Sequence, residues 1–357
     1  MDLYSTYTLN RVVVPRLRTM PKLFLTLFPS VIQSDKDEII YDVTKAIRPG
    51  ATPFVHPMAK GKVVEGAGYS TKSLKPAYVK DIRVHTPHQN LKRLAGEQLG
   101  GSLTQEQRML ARVAADIQDQ MDRLQNRFEV MAAEAVIYGT QTIKGEGFDD
   151  LVDFGKSAAS KTILAGANKW NDPDITVDKM FGQLEDLSED MRNRIGQTPD
   201  YYLMDPKAWA LMRAKLAAAD KGGSKYLDKQ NRGFDRISVD LTPQMAGQMG
   251  LLFKGSFGDI PIYTFQSEYV DPETGTVKKL MPDNTVLLIA RSRLDGVRHF
   301  GAIQSIDPAN GQFVLSPMEY FSSSWVEEDP AARYLRLESA PLMVPYYPDA
   351  VQTVTVA

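Results

Sequence analysis

Cysteine is absent from all 357 residues of the chain. This absence excludes disulfide bonds, thiolate metal sites and cysteine nucleophiles. The chain must therefore be stabilised by packing, and a reducing cytoplasm suits its folding. Long apolar runs are also absent, because stretches such as Val286 to Ala290 are far too short to cross a bilayer. The first residues show no basic segment followed by an apolar stretch, so we expect neither a signal peptide nor a membrane partner.

Histidine is scarce, with four residues, and nothing in the sequence indicates a catalytic or metal site. His85 and His88 have the spacing of metal ligands, but Pro87 interrupts any helix there and no third ligand is apparent. Gly155-Lys156-Ser157 resembles the end of a phosphate-binding loop, yet Asp150 stands where that motif requires a glycine. We therefore expect no enzymatic activity, no cofactor and no bound metal.

Net charge is small, since 42 basic and 44 acidic residues give a formal charge of -2. This balance argues against strong nonspecific binding of nucleic acid or membrane by the chain as a whole. It is compatible with close association of many identical copies.

The length predicts two domains, or one domain with long extensions from it. The 43% of hydrophobic residues are enough for a substantial core.

Residues 1–45 do not have the pattern of a compact domain. Pro15, Pro21 and Pro29 prevent a continuous helix or a central strand. Two interpretations remain open: an arm lying on other surfaces, including those of another copy of the chain, or a strand packed on its own domain. The apolar residues that would be buried in either case are Val12, Val13, Val14, Phe24, Leu27 and Phe28.

Residues 46–90 are predicted to form a long hairpin with a projecting tip. Glycine permits the positive φ angles of turns and leaves little side chain to pack. The basic tip is either a contact for acidic groups on a neighbour or a solvated loop. Its candidate contact residues are Lys60, Gly61, Lys62, Gly66, Gly68 and Lys72.

The clearest local pattern predicts a helix from about residue 104 to 138. Ser102 with Gln105, or Thr104 with Gln107, forms a capping box, and Gly139 supplies a C-terminal stop. The apolar face repeats every three to four residues, which is the period of a helix. Packing on a sheet of the same chain is favoured over a coiled coil because small alanines widen the apolar stripe. The predicted core face comprises Leu110, Val113, Ile117, Met121, Leu124, Phe128 and Met131.

Beyond residue 147 the pattern becomes mixed α/β. Helices are predicted from Phe181 to Ile195 and from Pro206 towards Ala219, with a short strand at Tyr201 to Met204 between them. Ile260 to Phe265 and Val277 to Leu280 are predicted to pair as a hairpin around a turn. Val286 to Ala290 is predicted to be a strand buried on both faces. The fold class is therefore α+β.

A series of short motifs runs nearly from end to end of the chain. These motifs are Tyr78-Val79-Lys80, Leu91-Lys92-Arg93-Leu94, Gly145-Glu146-Gly147-Phe148, Asp205-Pro206-Lys207-Ala208-Trp209, Pro282-Asp283-Asn284-Thr285, Gly296-Val297-Arg298, Gly301-Ala302-Ile303-Gln304, Trp325-Val326, Asp329-Pro330 and Ser339-Ala340-Pro341-Leu342-Met343. In this order they resemble the lambda-type phage major capsid protein E family, which has the Hong Kong 97 fold.

The resemblance implies a division of the chain into named regions. Residues 1–45 would be the N-arm and 46–90 the extended β-hairpin loop. Residues 91–150 would belong to the peripheral domain, whose long spine helix, at about 104–138, packs on a β-sheet. The mixed α/β axial domain would cover 151–290. The chain would return to the peripheral domain over 291–338 and end as an axial-domain strand within 339–357.

The resemblance also implies a function. It suggests the major capsid (head) protein of a tailed double-stranded DNA bacteriophage, which assembles in the host cytoplasm as hexamers and pentamers into the icosahedral shell of the virion. Partners would be a separate scaffolding protein, a decoration or cement protein, the portal and the packaged DNA.

Residues 1–45 contain no long charged helix. We therefore expect that the chain carries no scaffolding segment of its own and that it is not cleaved in the mature shell. The alternatives are a coiled-coil or tail-associated structural protein that uses residues 104–138 as its seam, and an α/β enzyme.

Overall fold

The computed structural model describes residues 22–36, 38–44, 51–52, 54–58, 60, 69–88, 104–145, 148–219, 250–306, 311, 313–329 and 331–357. The α-helices in this part of the chain are α1 (Gln105–Ile137), α2 (Val177–Ile195), α3 (Pro206–Ala219) and α4 (Arg291–Leu294). The strands are β1 (Ser30–Gln33), β2 (Ile39–Thr44), β3 (Tyr69–Leu74), β4 (Val79–His85), β5 (Thr140–Gly145), β6 (Phe148–Asp153), β7 (Lys161–Ile163), β8 (Tyr201–Met204), β9 (Leu252–Phe257), β10 (Ile260–Thr264), β11 (Glu268–Val270), β12 (Val277–Lys279), β13 (Thr285–Ile289), β14 (Gly296–Phe300), β15 (Ala302–Ile306), β16 (Phe313–Pro317), β17 (Phe321–Glu327), β18 (Ala332–Ser339), β19 (Pro341–Pro345) and β20 (Val351–Thr355). Short 3₁₀ turns occur at Leu25–Leu27, Ala158–Ser160, Gly166–Asn168 and Pro348–Ala350.

The chain divides into two compact units, and both combine helix with sheet, which confirms the α+β class. Unit 1 contains the described residues of Met1–Ile40, Ser73–Met131 and Val297–Met343. Unit 2 contains those of Tyr41–Lys72, Ala132–Gly296 and Val344–Ala357. The names peripheral and axial for these units stay predictions.

Helix α1 has the length and the ends that its sequence predicts. Of the two capping boxes considered, the one at Thr104 forms: the Gln107 backbone N–H donates to Thr104 Oγ1 at 3.2 Å, and the Thr104 N–H donates to Gln107 Oε1 at 2.9 Å. Gly139 follows the last turn with a φ of 68°, a left-handed conformation that favours glycine after a helix. Local sequence therefore determines both ends of this helix.

One side of α1 packs on the three-stranded sheet β17-β18-β4 of unit 1. Gln120 Nε2 donates to the carbonyl oxygens of Asp81 in β4, at 3.1 Å, and of Leu335 in β18, at 3.3 Å. The apolar face of α1 is therefore largely buried within its own chain, as its width predicts, and does not form a coiled-coil seam.

The described part of the proline-broken N-terminal region packs within unit 1. Phe24 and Phe28 have no exposed surface, and Leu27 is 4% exposed. Strand β1 then pairs in parallel with β14, with Ser30 opposite Val297. Of the two interpretations left open, packing on the same domain is what the structure shows for residues 22–33. Val12, Val13 and Val14 lie outside the described residues.

The observed hairpin begins and ends earlier in the chain than the predicted residues 46–90. Its paired strands are β2 and β3, which begin at Ile39 and end at Leu74. Strand β4 instead joins the sheet of unit 1 through β18, where His85 lies opposite Arg333. The strand that pairs with β4 lies more than two hundred residues away in sequence, so a local pattern does not reveal this boundary.

Unit 2 is built on a six-stranded sheet with the order β7-β20-β13-β8-β10-β9. Strand β13 lies between β8 and β20, and all five of its residues are buried, as its unbroken apolar run predicts. The predicted pairing of Ile260 to Phe265 with Val277 to Leu280 is wrong. Strand β10 pairs with β8 and β9, and β12 pairs with β11 across the turn at Asp271.

Candidate assembly surfaces

The predicted tip of the hairpin is only partly within the described residues. Lys60 is exposed to solvent. Lys72 is not a tip residue, because it lies in β3 and its Nζ donates to the carbonyl oxygen of Asp153 in the same unit. The remaining predicted contacts, Gly61, Lys62, Gly66 and Gly68, lie outside the described residues. Lys72 is therefore removed from the candidate contact residues.

A second group of residues in this loop, missed by the sequence reasoning, is apolar. The side chains of Phe54 and Met58 are 104% and 91% exposed, and Val55 is 44% exposed. Large apolar side chains that contact so little of their own chain are characteristic of surfaces that bind another molecule. The sequence contained a signal for them: Phe54 and Met58 stand among prolines in a segment with no helical or strand period.

The predicted face of α1 is buried from its third turn onward. Val113, Ile117, Met121, Leu124, Phe128 and Met131 are all at most 7% exposed. Leu110 is 38% exposed, so its placement on the buried face is wrong. Strand β4 ends at His85, whose Nε2 lies 3.4 Å from Asp116 Oδ2, and Leu110 lies nearly two turns before that contact. The helix therefore begins beyond the end of the sheet that covers it.

The other side of the sheet β17-β18-β4 carries exposed apolar groups. Ile82 and Val84 are 48% and 43% exposed. Val84 lies opposite Tyr334, which stacks on Trp325 with ring centroids 5.1 Å apart and planes inclined by 6°. This half of the sheet therefore presents a flat apolar and aromatic surface.

A buried carboxylate lies near the opposite end of the same sheet. The Glu338 side chain has no exposed surface, and its oxygens lie 3.4 Å from Lys80 Nζ and 3.3 Å from Arg336 Nη2. A carboxylate removed from water is stable only when cations or donors compensate for its lost hydration. Lys80 and Arg336 are therefore engaged within the subunit.

A second buried carboxylate fixes the N-terminal residues of unit 1. Glu129 Oε1 accepts from the backbone N–H of Phe24 at 3.0 Å, and Glu129 Oε2 accepts from that of Leu25 at 2.9 Å. Burial raises the pKa of Glu129 to about 7, although the two backbone hydrogen bonds and Lys22 act in the opposite direction. The side chain thus provides acceptors for the free amides at the start of the 3₁₀ turn.

Lys156, from the motif that resembles a phosphate-binding loop, is a structural residue. Its Nζ is buried and donates to the carbonyl oxygens of Val136 at 2.9 Å and Ile137 at 3.1 Å, and to Thr353 Oγ1 at 2.9 Å. Burial lowers its pKa to about 7. The ammonium thus caps the C-terminal carbonyls of α1, a location where the helix dipole favours a cation.

In the part of the chain with assigned positions, no cluster of three or more histidine and carboxylate side chains is arranged to hold a metal ion. No helix among these residues is both long and apolar enough to cross a membrane. His88 is exposed.

Comparison with known proteins shows a family model, two relatives and a solved structure that the chain resembles. The model of phage major capsid protein E matches residues 5–356. The major capsid protein of Escherichia phage lambda is 28% identical over 306 residues, which is 85% of both chains. That of Escherichia phage N15 is 27% identical over 359 residues, covering 100% of both chains. A crystal structure assigned to a prophage capsid protein of Escherichia coli CFT073 matches with a TM-score of 0.74 at 20% identity, and the match covers 99% of each chain.

Proposed function

The chain belongs to the phage major capsid protein E family, and from this premise we propose that it assembles as hexamers and pentamers into the icosahedral shell of a tailed double-stranded DNA bacteriophage. It is a structural capsid protein with the Hong Kong 97 type of fold, and the family is not one of enzymes. The family match over almost the whole chain is the observation that carries this proposal.

A closed shell imposes a physical requirement on its subunit. One sequence must make several slightly different contacts with identical neighbours. Each contact can be modest because every subunit makes many of them, and the effective affinity multiplies. The near-zero net charge of -2 supports this role, since close neighbours then repel each other little.

The hairpin formed by β2 and β3 is the first candidate for a contact between copies. Phe54 and Met58 are almost entirely exposed in the single chain. Burying a large apolar side chain stabilises an interface by roughly 2 kcal/mol. We assign these two side chains, together with the basic residues Lys60 and Lys62, to the surface of a neighbouring subunit.

Other partners follow from the same family role. The shell would form in the host cytoplasm around a separate scaffolding protein and include a portal, and a decoration protein would reinforce it. DNA inside the finished virion would touch the shell without sequence preference. Such contact would depend on local lysines and arginines, because the chain as a whole carries no positive excess.

Assembly can be tested with the full chain co-expressed with its scaffolding protein. We expect shell-sized particles in velocity sedimentation and closed shells in negative-stain electron microscopy. Rods or small oligomers would instead support the tail-associated alternative. A chain that stays monomeric at high concentration under all these conditions contradicts the proposal.

The role of the hairpin can be tested with the double substitution Phe54→Ser and Met58→Ser. The subunit should keep its circular dichroism spectrum and melting temperature, because both side chains are exposed, while the yield of shells falls at least tenfold. Leu151→Ser is the matched control, since Leu151 is 66% exposed in β6 outside this hairpin. Normal shells from the double variant, or equal losses in both proteins, would contradict a specific role for these residues.

A further inference from the structure

The β11–β12 hairpin of unit 2 exposes an apolar pair on one of its faces. Val270 and Val277 lie directly opposite each other and are 63% and 64% exposed. Tyr269, on the opposite face of β11, is half-buried. One face of the β11–β12 hairpin is therefore partly covered by its own chain, whereas the other leaves two β-branched side chains in water.

Hydrogen bonds within the turn hold the β11–β12 hairpin in one conformation. The Asp271 backbone N–H donates to the carbonyl oxygen of Thr276 at 2.9 Å, and the Gly275 N–H donates to that of Asp271 at 2.8 Å. Lys278 forms an ion pair with Asp271 across the same turn. A segment that is ordered before it binds loses little conformational entropy on binding. The exposed valine pair is thus presented on a rigid projection.

Strand β7 presents a second exposed surface in the same unit. Ile163 is 76% exposed, and Lys161, two residues earlier on the same side of the strand, is also exposed. In the described residues β7 has β20 as its one partner, at the edge of the six-stranded sheet. Strands β7, β20, β8 and β10 run in the same direction. Ile163 therefore lies at the end of the sheet where the chain leaves β10 for the β11–β12 hairpin.

We propose that the β11–β12 hairpin of one subunit binds strand β7 of a second copy of the chain, and this inference rests on the ring-forming assembly proposed above. Glu268 and Val270 share the exposed face of β11, as Lys161 and Ile163 share that of β7. Each pair is separated by two residues, about 6.8 Å along a strand. When the valine of one copy meets the isoleucine of the other, the glutamate and the lysine face each other.

The two surfaces differ from each other, and this difference determines the symmetry of the contact. A contact between unlike surfaces repeats head to tail and closes into a ring, whereas a contact between like surfaces stops at two copies. The opposite charges of Glu268 and Lys161 favour the correct alignment and disfavour contact between two identical surfaces. The contact therefore suits the hexamers and pentamers of the shell.

Crosslinking through introduced thiols tests the contact, because the chain contains no cysteine of its own. Shells of the full chain carrying Ile163→Cys and Val270→Cys are treated with a short bismaleimide and separated by denaturing electrophoresis. We expect a ladder of covalent oligomers that ends at the pentamer and hexamer. The control pair Lys254→Cys with Val270→Cys should give no ladder, since Lys254 is exposed in β9 at the other edge of the sheet. Unlinked chains, dimers alone or an equal ladder in the control would overturn the proposal, whereas a wild-type chain that forms no shells contradicts the proposed function instead.

Exchange of the two charges gives an independent test that needs no cysteine, and it decides the question if the cysteine variants form no shells. Glu268→Lys and Lys161→Glu should each lower the yield of shells by roughly tenfold, because each places like charges together. Combining both substitutions should restore the yield. Circular dichroism and melting temperature establish that each subunit folds, and Lys254→Glu is the control for a change of charge alone. Normal yields from both single variants, or a double variant no better than either, contradict the contact.

Discussion

Phe128 is the side chain at which the buried face of α1 can be tested most directly. It is 1% exposed and lies against Phe300, so an aspartate there would place an unpaired charge in an apolar contact. We expect Phe128→Asp to lower the free energy of unfolding by about 3 kcal/mol or more. Leu110→Asp is the control on the same helix, and it should change stability by less than about 1 kcal/mol because Leu110 is exposed. Denaturant titration of both variants measures the difference, and equal costs would contradict the assignment of the buried face.

Gly139 is a position where both conformation and space require glycine. Its φ is 68°, and a Cβ atom there would lie 2.2 Å from Lys156 Cβ. Gly196 has a φ of 78° and nothing within 4 Å of an added Cβ. A substitution there therefore measures only the cost of the backbone conformation, without a steric clash. Gly196→Ala should cost about 1 kcal/mol of stability, and Gly139→Ala clearly more, because Lys156 must also shift. Equal losses on thermal unfolding would show that the contact with Lys156 adds nothing.

At the scale of secondary-structure elements, the sequence correctly predicted the features that are determined by residues within or beside the element. It did not predict those that depend on residues distant in sequence. The apolar period, Thr104 and Gly139 all lie within α1 or beside it, and the helix forms at Gln105–Ile137 as predicted. The backbone N–H of Phe24 donates to Glu129, and β1 pairs with β14, and both of these partners are distant in sequence. Proline spacing could therefore show that residues 22–33 form no helix, but not which surface would cover them.

The same distinction applies to the candidate contact surfaces. The hairpin was predicted from its glycines and prolines, and paired strands are observed at Ile39–Thr44 and Tyr69–Leu74. The exposure of Phe54 and Met58 was not predicted, because an apolar residue in a sequence is equally compatible with a core position. Only the folded chain shows that nothing in the described residues covers them.

The junction at the C-terminal end of α1 gives a prediction about pH. Burial lowers the pKa of Lys156 from 10.5 to about 7, so between these values the unfolded chain binds the proton and the folded chain does not. Stability from this group should therefore rise with pH across this window, by at most about 1.4 kcal/mol per unit. Unfolding free energies of the wild type and of Lys156→Met, measured by denaturant titration from about pH 7 to about pH 9, should diverge in favour of the wild type. A constant difference would mean that the buried amine stays charged.

At the scale of the whole molecule, buried charged groups in both units have partners in the same unit, whereas one loop leaves large apolar side chains exposed. The buried carboxylates Glu129 and Glu338 find their partners within unit 1, and Lys156 finds its partners within unit 2. The loop between β2 and β3 instead exposes its large apolar side chains. We expect such a subunit to fold alone and to bury these side chains against a neighbouring copy.

Deletion of residues 61–68 tests this separation of folding from assembly. The deletion spares Lys72, which is engaged in β3, and it leaves residues 45–60 to connect β2 with β3. Because the cost of closing a loop changes slowly with its length, the subunit should keep its circular dichroism spectrum and melting temperature. Stable shells should be lost, because the deletion removes Lys62 and shortens the loop that carries Lys60 towards a neighbour. A glycine-serine segment of equal length in place of residues 61–68 distinguishes reach from chemistry, and shells would return only if length alone matters. Normal, heat-stable particles from the deletion itself would contradict the role of this loop between subunits.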